Sequence, residues 1–359
     1  MNALRNSKFT PIIGLIIGVV IGLICFRLTT VKAGNLEPTA PPGPTMKTLD
    51  EVEPRIPIPA SATPAATFTI STSGSYYLSG DRSCSGTGIT VNTDNVTIDL
   101  CGYSLTGSGS GTYYGIYMNG RKNVEIRNGT IRSFGSHGIY ENNGVNGECH
   151  RVINIRAAGN GGSGIFLISQ GNLIKDCTSR DNVYNGIYAG VSSTLVGNTV
   201  FQNSLDGIIT AEGCLIDGNV AGDNGNSGIH AYSGSTIINN TSYHNTQNGI
   251  KGDAYGVTIL NNTVRSNNTS NSSSYAGIYA TSDSVVRGNT VTNNNQCNIF
   301  LLYADNVVEN NLVIGSDYGI YFSATGCFYA NNRATDNTTA NYGGNVPAGA
   351  GDGGGNAEF

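Results

Sequence analysis

Four titratable residues of this chain fall at related points of three consecutive segments and could share one surface. His230 and Lys251 each follow a Gly-Ile pair directly, Asp253 lies two positions beyond Lys251, and Asp206 directly precedes the Gly-Ile pair one segment earlier. A polysaccharide lyase needs a base and a cation that stabilises an enolate, for which His and Lys serve. A glycoside hydrolase needs two carboxylates that face one bond. The residue types fit either reaction, and a polar surface patch without catalysis is the simpler interpretation.

The Gly-Ile pair that places these residues recurs every 21 to 28 positions, and Asn298 replaces its Gly once. A nearly fixed period in the low twenties, rich in Gly, Asn and β-branched residues, indicates one short supersecondary unit stacked many times. Stacked in register, the Ile residues would form one buried column. They are Ile116, Ile139, Ile165, Ile187, Ile208, Ile229, Ile250, Ile278, Ile299 and Ile320.

Two series of mostly Asn residues mark turns within each repeat. Asn tolerates left-handed backbone geometry, and identical amides stacked about 4.8 Å apart can hydrogen bond along a ladder. Two such turns and two or three strands per repeat predict an all-β parallel solenoid of about 11–12 coils. The first series contains Asn154, Asp176, Asn198, Asn219, Asn240, Asn262, Asn289, Asn311 and Asn332.

The residue after each Ile of the column should point outward, because side chains alternate across a strand. Seven of these ten positions are aromatic, and Ile209, His230 and Lys251 interrupt them. Aromatic faces can stack on sugar rings, so the pattern predicts a groove for extended polysaccharide; ordinary packing of aromatics on a sheet is the alternative. The predicted binding residues, with Tyr232 beside His230, are Tyr140, Phe166, Tyr188, Tyr232, Tyr279, Phe300 and Tyr321.

The Gly-Ile-Tyr, Gly-Asn-Thr-Val and Asn-Asn sequences resemble the parallel β-helix repeats of the pectin lyase-like superfamily, over roughly residues 67–342. The resemblance implies a single-stranded, right-handed parallel β-helix of the exported bacterial type. It does not decide the activity, because the superfamily includes lyases, hydrolases, epimerases, phage spikes and adhesins. Asn92-Thr93-Asp94 matches one short hydrolase motif, but the paired Asp segment that should follow is missing.

The composition restricts the partners and cofactors. Charged residues make up 12% of the chain and the formal net charge is −5, which disfavours nucleic acid and anionic membranes as partners. The sequence has no Cys/His spacing typical of zinc and no array of calcium-binding repeats, so we expect no cofactor, with calcium left open. Cys84 and Cys101 could form a disulfide. The exported bacterial β-helix proteins that this chain resembles usually have an Asn at the position of Cys101. The replacement of that Asn by Cys favours a disulfide between Cys84 and Cys101.

The chain divides into four segments. Residues 1–33 contain Arg5 and Lys8 before an apolar run and predict a cleaved export signal, with an uncleaved membrane anchor through residues 12–28 as the alternative. Residues 34–66 form a Pro-rich linker, residues 67–342 the β-helix, and residues 343–359 a flexible Gly-rich tail. The solenoid ends would stay open, which invites oligomerisation.

These observations together predict an exported protein of the periplasm, the cell surface or the medium. The leading hypothesis is a largely non-catalytic protein that binds polysaccharide along the aromatic column. One alternative is a polysaccharide lyase or glycoside hydrolase that acts at His230, Lys251, Asp253 and Asp206. The other is a structural spike or surface protein.

Overall fold

The computed structural model of the protein describes residues 55–358, which form a parallel β-solenoid of about 14 turns. Helical structure within this range is limited to one 3₁₀ turn, η1 (Gly349–Gly351). No helix among these residues is long and apolar enough to cross a membrane. The predicted export signal and residues 34–54 of the predicted linker lie outside the described residues.

The strands are short, and most contain three residues. In the first half of the chain they are β1 Ile56–Ile58, β2 Ser61–Ala65, β3 Phe68–Ile70, β4 Gly74–Leu78, β5 Arg82–Cys84, β6 Ile89–Val91, β7 Val96–Asp99, β8 Ser104–Thr106, β9 Ile116–Tyr117, β10 Val124–Arg132, β11 Ile139–Glu141, β12 Arg151–Ala158, β13 Ile165–Leu167, β14 Leu173–Lys175, β15 Thr178–Arg180, β16 Ile187–Ala189, β17 Thr194–Val196, β18 Thr199–Phe201 and β19 Ile208–Thr210. In the second half they are β20 Leu215–Asp217, β21 Val220–Gly222, β22 Ile229–Ala231, β23 Thr236–Ile238, β24 Thr241–Tyr243, β25 Ile250–Tyr255, β26 Thr258–Leu260, β27 Thr263–Arg265, β28 Ile278–Ser282, β29 Val285–Arg287, β30 Thr290–Thr292, β31 Cys297–Leu301, β32 Val307–Glu309, β33 Leu312–Ile314, β34 Tyr318–Phe322, β35 Phe328–Ala330, β36 Arg333–Thr335, β37 Ala340–Gly344 and β38 Ala357–Glu358.

Each typical coil contributes one strand to each of three faces. The face that carries the Gly-Ile pairs, called the Gly-Ile face below, is a 13-stranded sheet that runs from β3 to β37. The second face contains strands such as β14, β17 and β20, and the third contains β15, β18 and β21. The long strands β10 and β12 pass through the bend between the second and third faces and join them into one sheet of 25 strands. All pairs are parallel between neighbouring coils, so each side chain lies above its equivalent one coil earlier.

The predicted Ile column is confirmed. Successive Ile residues are paired in register, as in Ile208 with Ile229 and Ile229 with Ile250, and all ten are fully buried. The two other faces add their own buried columns, for example Leu195, Ile216 and Ile237. The core is therefore a narrow stack of aliphatic side chains, stabilised by burial of apolar surface in every coil.

The predicted Asn ladder is present, but it begins one residue further along the sequence than the first members of the series suggest. Asn154 and Asp176 occupy left-handed turn positions. In these two coils, the residue that follows them lies at the ladder position. Cys177 N–H donates to Asn198 Oδ1 (2.9 Å), and Asn198 then donates to Asn219 Oδ1 (2.9 Å). From Asn198 onward each buried amide hydrogen bonds to the next, which satisfies backbone groups at the bend.

The solenoid extends beyond the predicted limits at both ends, which accounts for about 14 turns instead of 11–12. Within the predicted linker, β1 pairs with β4 and Ile58 is fully buried. Within the predicted tail, β38 pairs with β36 and Asn356 Oδ1 accepts a hydrogen bond from Asn332 N–H (3.0 Å). Both segments lack a strong apolar period of their own. Their strands form because an existing coil offers a free sheet edge.

The disulfide between Cys84 and Cys101 is not formed, and both thiols are free. Cys84 lies on β5 and its side chain is buried in the core. Cys101 lies at an exposed bend after β7, with a left-handed backbone (φ 50°). The two side chains point into different environments, so proximity along the sequence does not bring the sulfur atoms together.

Candidate functional site

The structure brings His230, Lys251 and Asp253 together on the Gly-Ile face. His230 on β22 pairs in register with Lys251 on β25. Lys251 Nζ donates to Asp253 Oδ2 (2.7 Å), and the same oxygen lies 3.1 Å from His230 Nε2. The His230 side chain is 12% exposed, whereas those of Lys251 and Asp253 are 27% and 28% exposed. One carboxylate oxygen thus holds both a cation and an imidazole at the surface.

The Asp253 carboxyl has a pKa below its ordinary value. Its partial burial by itself acts to raise the pKa, but the hydrogen bond and charge of Lys251, with a further contribution from His230, outweigh burial. Asp253 is therefore ionised at neutral pH. It can accept hydrogen bonds, but it cannot supply the proton of a general acid.

Asp206 has a mainly structural role. Its Oδ1 accepts the backbone N–H of Ser227 (2.9 Å), and its own N–H donates to Asn185 Oδ1 (3.1 Å). Asp206 thus occupies one step of a ladder of side chains that satisfies the turn before the Gly-Ile strands. Its other oxygen lies 3.8 Å from His230 Nδ1, so it contacts the ring from the side opposite Asp253.

The aromatic residues of the predicted column form two stacks, one on each side of Ile209, His230 and Lys251. Tyr140, Phe166 and Tyr188 follow one another with ring centroids 5.6 Å and 4.7 Å apart. Beyond the gap, Phe300 lies 5.4 Å from both Tyr279 and Tyr321, with nearly parallel planes. The aromatics therefore use ring faces to pack against one another, as the alternative interpretation predicted.

This stacking separates five of the seven predicted binding residues into two groups. Phe166 and Phe300 are covered on both faces, so only their edges can contact a ligand. Within residues 55–358, Tyr188 and Tyr279 each stack on one ring only, as does Tyr232, whose partner is His230 (4.9 Å). Each of these three Tyr residues borders the interruption in the column. Three aromatic rings with a free face therefore surround the polar cluster.

A cleft of about 300 Å³ opens directly beside this cluster. Lys251 and Asp253 contribute its polar wall, and Tyr232 and Tyr279 lie on its sides. Two further tyrosines that the sequence analysis did not select complete it. Tyr255 is 66% exposed and Tyr303 is 56% exposed.

A local irregularity creates the cleft. β25 continues to Tyr255 through a register shift after Gly252, and Ala254 adopts a left-handed conformation (φ 67°). Thr281 Oγ1 donates a hydrogen bond to the Ala254 carbonyl and holds the bulge. The sequence contains a weak signal of this feature, since Asn240 and Asn262 are separated by one residue more than the two preceding ladder steps. β-bulges commonly redirect side chains at binding sites.

The described residues offer no evident metal site. Among residues 55–358, no three His, Cys, Asp or Glu side chains converge so that they could hold a metal ion. The site consists of hydroxyl, ammonium, carboxylate and imidazole groups together with aromatic rings.

Comparison with known proteins defines the family. The family described as a right handed beta helix region matches residues 81–221 and 207–353, which together cover most of the solenoid. The chain belongs to the right-handed β-helix family. The match also assigns the handedness of the solenoid, which the resemblance to pectin lyase-like repeats had implied. No curated protein matches this β-helix protein.

Solved structures with the same fold differ strongly in sequence. The A-module of the mannuronan C-5 epimerase AlgE4 from Azotobacter vinelandii is 15% identical, with a TM-score of 0.56 over 71% of this chain and 83% of that one. A mutant of the periplasmic alginate epimerase AlgG is 15% identical, with a TM-score of 0.60 over 83% and 79%. The catalytic unit of an α-1,3-glucanase from Streptomyces thermodiastaticus is 16% identical, with a TM-score of 0.52 over 86% of this chain and 64% of that one. At these identities the likeness concerns the fold alone.

Proposed function

We propose that this β-helix protein binds an extended polysaccharide across the Gly-Ile face, with one sugar unit seated in the cleft beside Lys251 and Asp253. The observation that carries the proposal is the coincidence of three features in one place. The aromatic stacks are interrupted there, the charged cluster fills the interruption, and the cleft adjoins it. Tyr232 and Tyr279 each offer a free ring face to a sugar ring, and Asp253 and Lys251 offer an acceptor and a donor to its hydroxyls.

The charges at the cleft favour a neutral, hydroxyl-rich unit over a uronate. In the described part of the chain, Lys251 is the one cation that lines the cleft, and Asp253 already neutralises it. Asp206 adds a second carboxylate on the far side of His230. A uronate carboxylate would therefore meet a local excess of negative charge, whereas sugar hydroxyls can hydrogen bond to an ionised carboxylate with favourable energy.

Two residues of the site have pKa values that do not favour their use as a general acid or base. Catalytic acids and bases have pKa values close to the working pH. The pKa of Asp253 is lowered, away from that of a general acid. The pKa of Tyr279 is raised by burial, and the Asp253 and Tyr303 charges add to this effect, which moves Tyr279 away from the role of a base. The lyase alternative rests on Lys251 and His230, which both contact the carboxylate of Asp253 beside the cleft. The experiment described next distinguishes it from binding.

The structural neighbours support a polysaccharide as the class of ligand. Their names identify enzymes that act on mannuronan, alginate and α-1,3-glucan, so both acidic and neutral polymers are handled on this fold. The sequences are too different for a particular substrate to be transferred to this chain.

The decisive experiment presents the purified protein with neutral and acidic polysaccharides and follows retention and product formation in the same samples. We expect retention by a neutral polymer without new reducing ends or unsaturated products, and its loss in Tyr232→Ala. Tyr243→Ala is the matched control, because Tyr243 packs against Arg265 on the third face, away from the cleft. Product formation that Lys251→Ala abolishes while retention persists would instead establish the lyase alternative. An absence of both retention and products would refute the proposal.

We also propose that residues 1–33 direct export of the protein. The support is the basic start, the apolar run from Ile12 to Phe26, and the small residue Ala33 before Gly34. Expressed in a bacterial host, the full-length chain should yield an exported product whose first residue is close to Gly34. A membrane-bound product that still starts at Met1 would support the anchor instead.

A further inference from the structure

The third face carries a group of three arginines that the proposed function does not use. Thr130, Arg156 and Thr178 are paired in register on successive coils, as are Arg132, Ala158 and Arg180. Arg132 and Arg180 are thus two coils apart, about 10 Å by the spacing of parallel strands, and the small Ala158 lies between them. The three arginines surround a cleft of about 420 Å³ that also contains Ala158 and Thr178. This cavity, with the three arginines that line it, is called the arginine cleft below.

Two of these guanidinium groups are held in place without being neutralised. Arg132 Nε donates to Thr106 Oγ1 (3.3 Å), and Arg156 Nε donates to Thr130 Oγ1 (3.1 Å). Among the described residues neither forms an ion pair, whereas Arg180 is paired with Asp181. Because the threonines bind Nε, the two terminal nitrogens of each guanidinium remain available, and these nitrogens form the edge that binds oxyanions in pairs.

The contrast with nearby arginines indicates that this arrangement is local. Arg151 lies on the same strand as Arg156, across the bend, and its Nε donates to Glu125 (3.0 Å). Arg127 contacts both Glu125 and Asp99. The two nearest arginines before and across the bend, Arg127 and Arg151, are thus paired with acids, whereas Arg132 and Arg156 donate to threonines instead.

We infer that the arginine cleft is a second glycan-binding site, selective for a sugar unit that carries an oxyanion, either a carboxylate or a sulfate. Its guanidinium groups would hold the anion by paired hydrogen bonds, and Thr178 would contact sugar hydroxyls. The cleft can hold about one sugar unit, and successive coils offer a track along which a polymer could continue. This site differs from the cleft on the Gly-Ile face in position and in charge preference.

A glycan fits this surface better than a nucleic acid or a membrane. The cluster is small, with three cations over about 10 Å, whereas nucleic-acid sites use a longer basic surface and aromatic rings that stack on bases. Among residues 55–358, no aromatic side chain lines the arginine cleft.

The test measures binding of the full-length protein to polygalacturonate, dextran sulfate, unmodified dextran and a single-stranded oligonucleotide at fixed salt. We expect at least one anionic glycan to bind through this site, with dextran excluded from it. Arg156→Gln should weaken that binding about tenfold, as expected for loss of a charge-assisted paired contact. Arg151→Gln is the control, because it removes the same charge from the same strand and should change binding less than twofold. Arg156→Lys keeps the charge but loses the paired geometry, and its affinity should fall between the parent and Arg156→Gln.

Each arm has a defined meaning. Preference for polygalacturonate identifies a carboxylate as the bound anion, and preference for dextran sulfate identifies a sulfate. Equal losses in Arg156→Gln and Arg151→Gln would overturn the site, because only net charge would then matter. Oligonucleotide binding as tight as glycan binding, or no anionic binding at all, would overturn it as well. Tyr232→Ala should leave this binding unchanged, so failure of the arginine cleft and failure of the cleft on the Gly-Ile face are distinguishable.

Discussion

Lys251 Nζ lies 2.7 Å from Asp253 Oδ2, and both residues belong to the strand β25. Residues two apart on a strand point to the same side of the sheet, so the pair forms within one strand and needs no loop to assemble it. His230, on the preceding strand of the face, contacts the same oxygen. The polar wall of the cleft is therefore built by strands of the solenoid itself.

Replacing Lys251 by Ala should raise the pKa of Asp253. Partial burial already acts to raise this pKa, and Lys251 provides the larger part of the opposing effect. The pKa of the Asp253 carboxyl group can be measured by NMR, from the chemical shift of its carboxyl carbon as the pH is varied, in the parent and in the variant. Lys122→Ala is the control, because Lys122 pairs with Glu148 and should leave Asp253 unchanged. An unchanged pKa in Lys251→Ala would mean that the ion pair is absent in solution.

Tyr188→Ala, Tyr232→Ala and Tyr279→Ala should each weaken retention of the bound polysaccharide several-fold. Each Tyr offers one free ring face, and an aromatic contact contributes on the order of 1 kcal/mol. Affinity electrophoresis provides the measurement, and thermal unfolding tests the fold. Phe300→Ala is an informative comparison, since that ring is covered on both faces. It should lower stability more than affinity. If all four variants bind like the parent, the aromatic residues serve packing only.

Ile229→Asp should destabilise the protein by several kcal/mol, because it buries a carboxylate without a partner between Ile208 and Ile250. Urea unfolding measures the free energy difference. Ile209→Asp introduces the same side chain at an outward position of the adjacent coil and should cost far less. Similar losses in the two variants would contradict the assignment of inward and outward positions.

Asn240→Ala should cost more stability than its small change in volume suggests. The Asn240 amide donates to Asn262 Oδ1 (3.1 Å) and to the carbonyls of Ile216 and Ile238 (2.9 Å each), and its oxygen accepts the N–H of Asn219 (2.8 Å). The variant leaves buried backbone groups without hydrogen-bond partners, and each such group lowers the free energy of unfolding by about 1–3 kcal/mol. Asn239→Gly, at an exposed left-handed position one residue earlier, is the control and should be nearly neutral. Equal stability of Asn240→Ala and the parent would show that the ladder does not stabilise the fold.

The free energy of unfolding should fall as the pH decreases from about 6.5 to about 4. Burial lowers the pKa of His150 from 6.5 to about 4, although Glu141 acts in the opposite direction. The unfolded chain takes up the proton first, so stability decreases as the pH falls through this window, by about 3 kcal/mol at most for this residue. His150 Nδ1 accepts the N–H of Val124 (3.3 Å), and Asn172, one coil later, makes the equivalent bond to His150 N–H (3.1 Å).

His150→Asn should therefore keep the hydrogen bond and remove the titration. Urea unfolding at a series of pH values should give a smaller loss between pH 7 and pH 4 than in the parent. Some dependence will remain, because burial also lowers the pKa of His137 to about 4. An identical pH profile in the variant and the parent would exclude His150 as the source of the acid sensitivity.

The sequence alone was sufficient for the fold class, the Ile column and the pairing of His230 with Lys251 on adjacent strands. Each depends on a period that repeats along the chain, and parallel coils convert equal sequence spacing directly into contact. Ile229 and Ile250 are buried neighbours for the same reason that His230 and Lys251 are surface neighbours: their strands are in register, 21 residues apart.

Only the tertiary structure decided the features that depend on irregular spacing or on side-chain direction. Tyr255 reaches the cleft because one additional residue shifts the register of β25 against β28, and a periodic pattern cannot locate such a shift. Asp206 belongs to a hydrogen-bond ladder because its side chain accepts the N–H of Ser227. Cys84 has no disulfide partner because its side chain points into the core. The distance between residues along the sequence predicts neither direction. Arg132 and Arg156 are diagonal neighbours on paired strands, in register with Ala158 and Thr130 respectively, and only the direction of their side chains brings both to one cleft. In a solenoid, repeated local spacing determines the stack, whereas insertions and the direction of single side chains determine the sites on its surface.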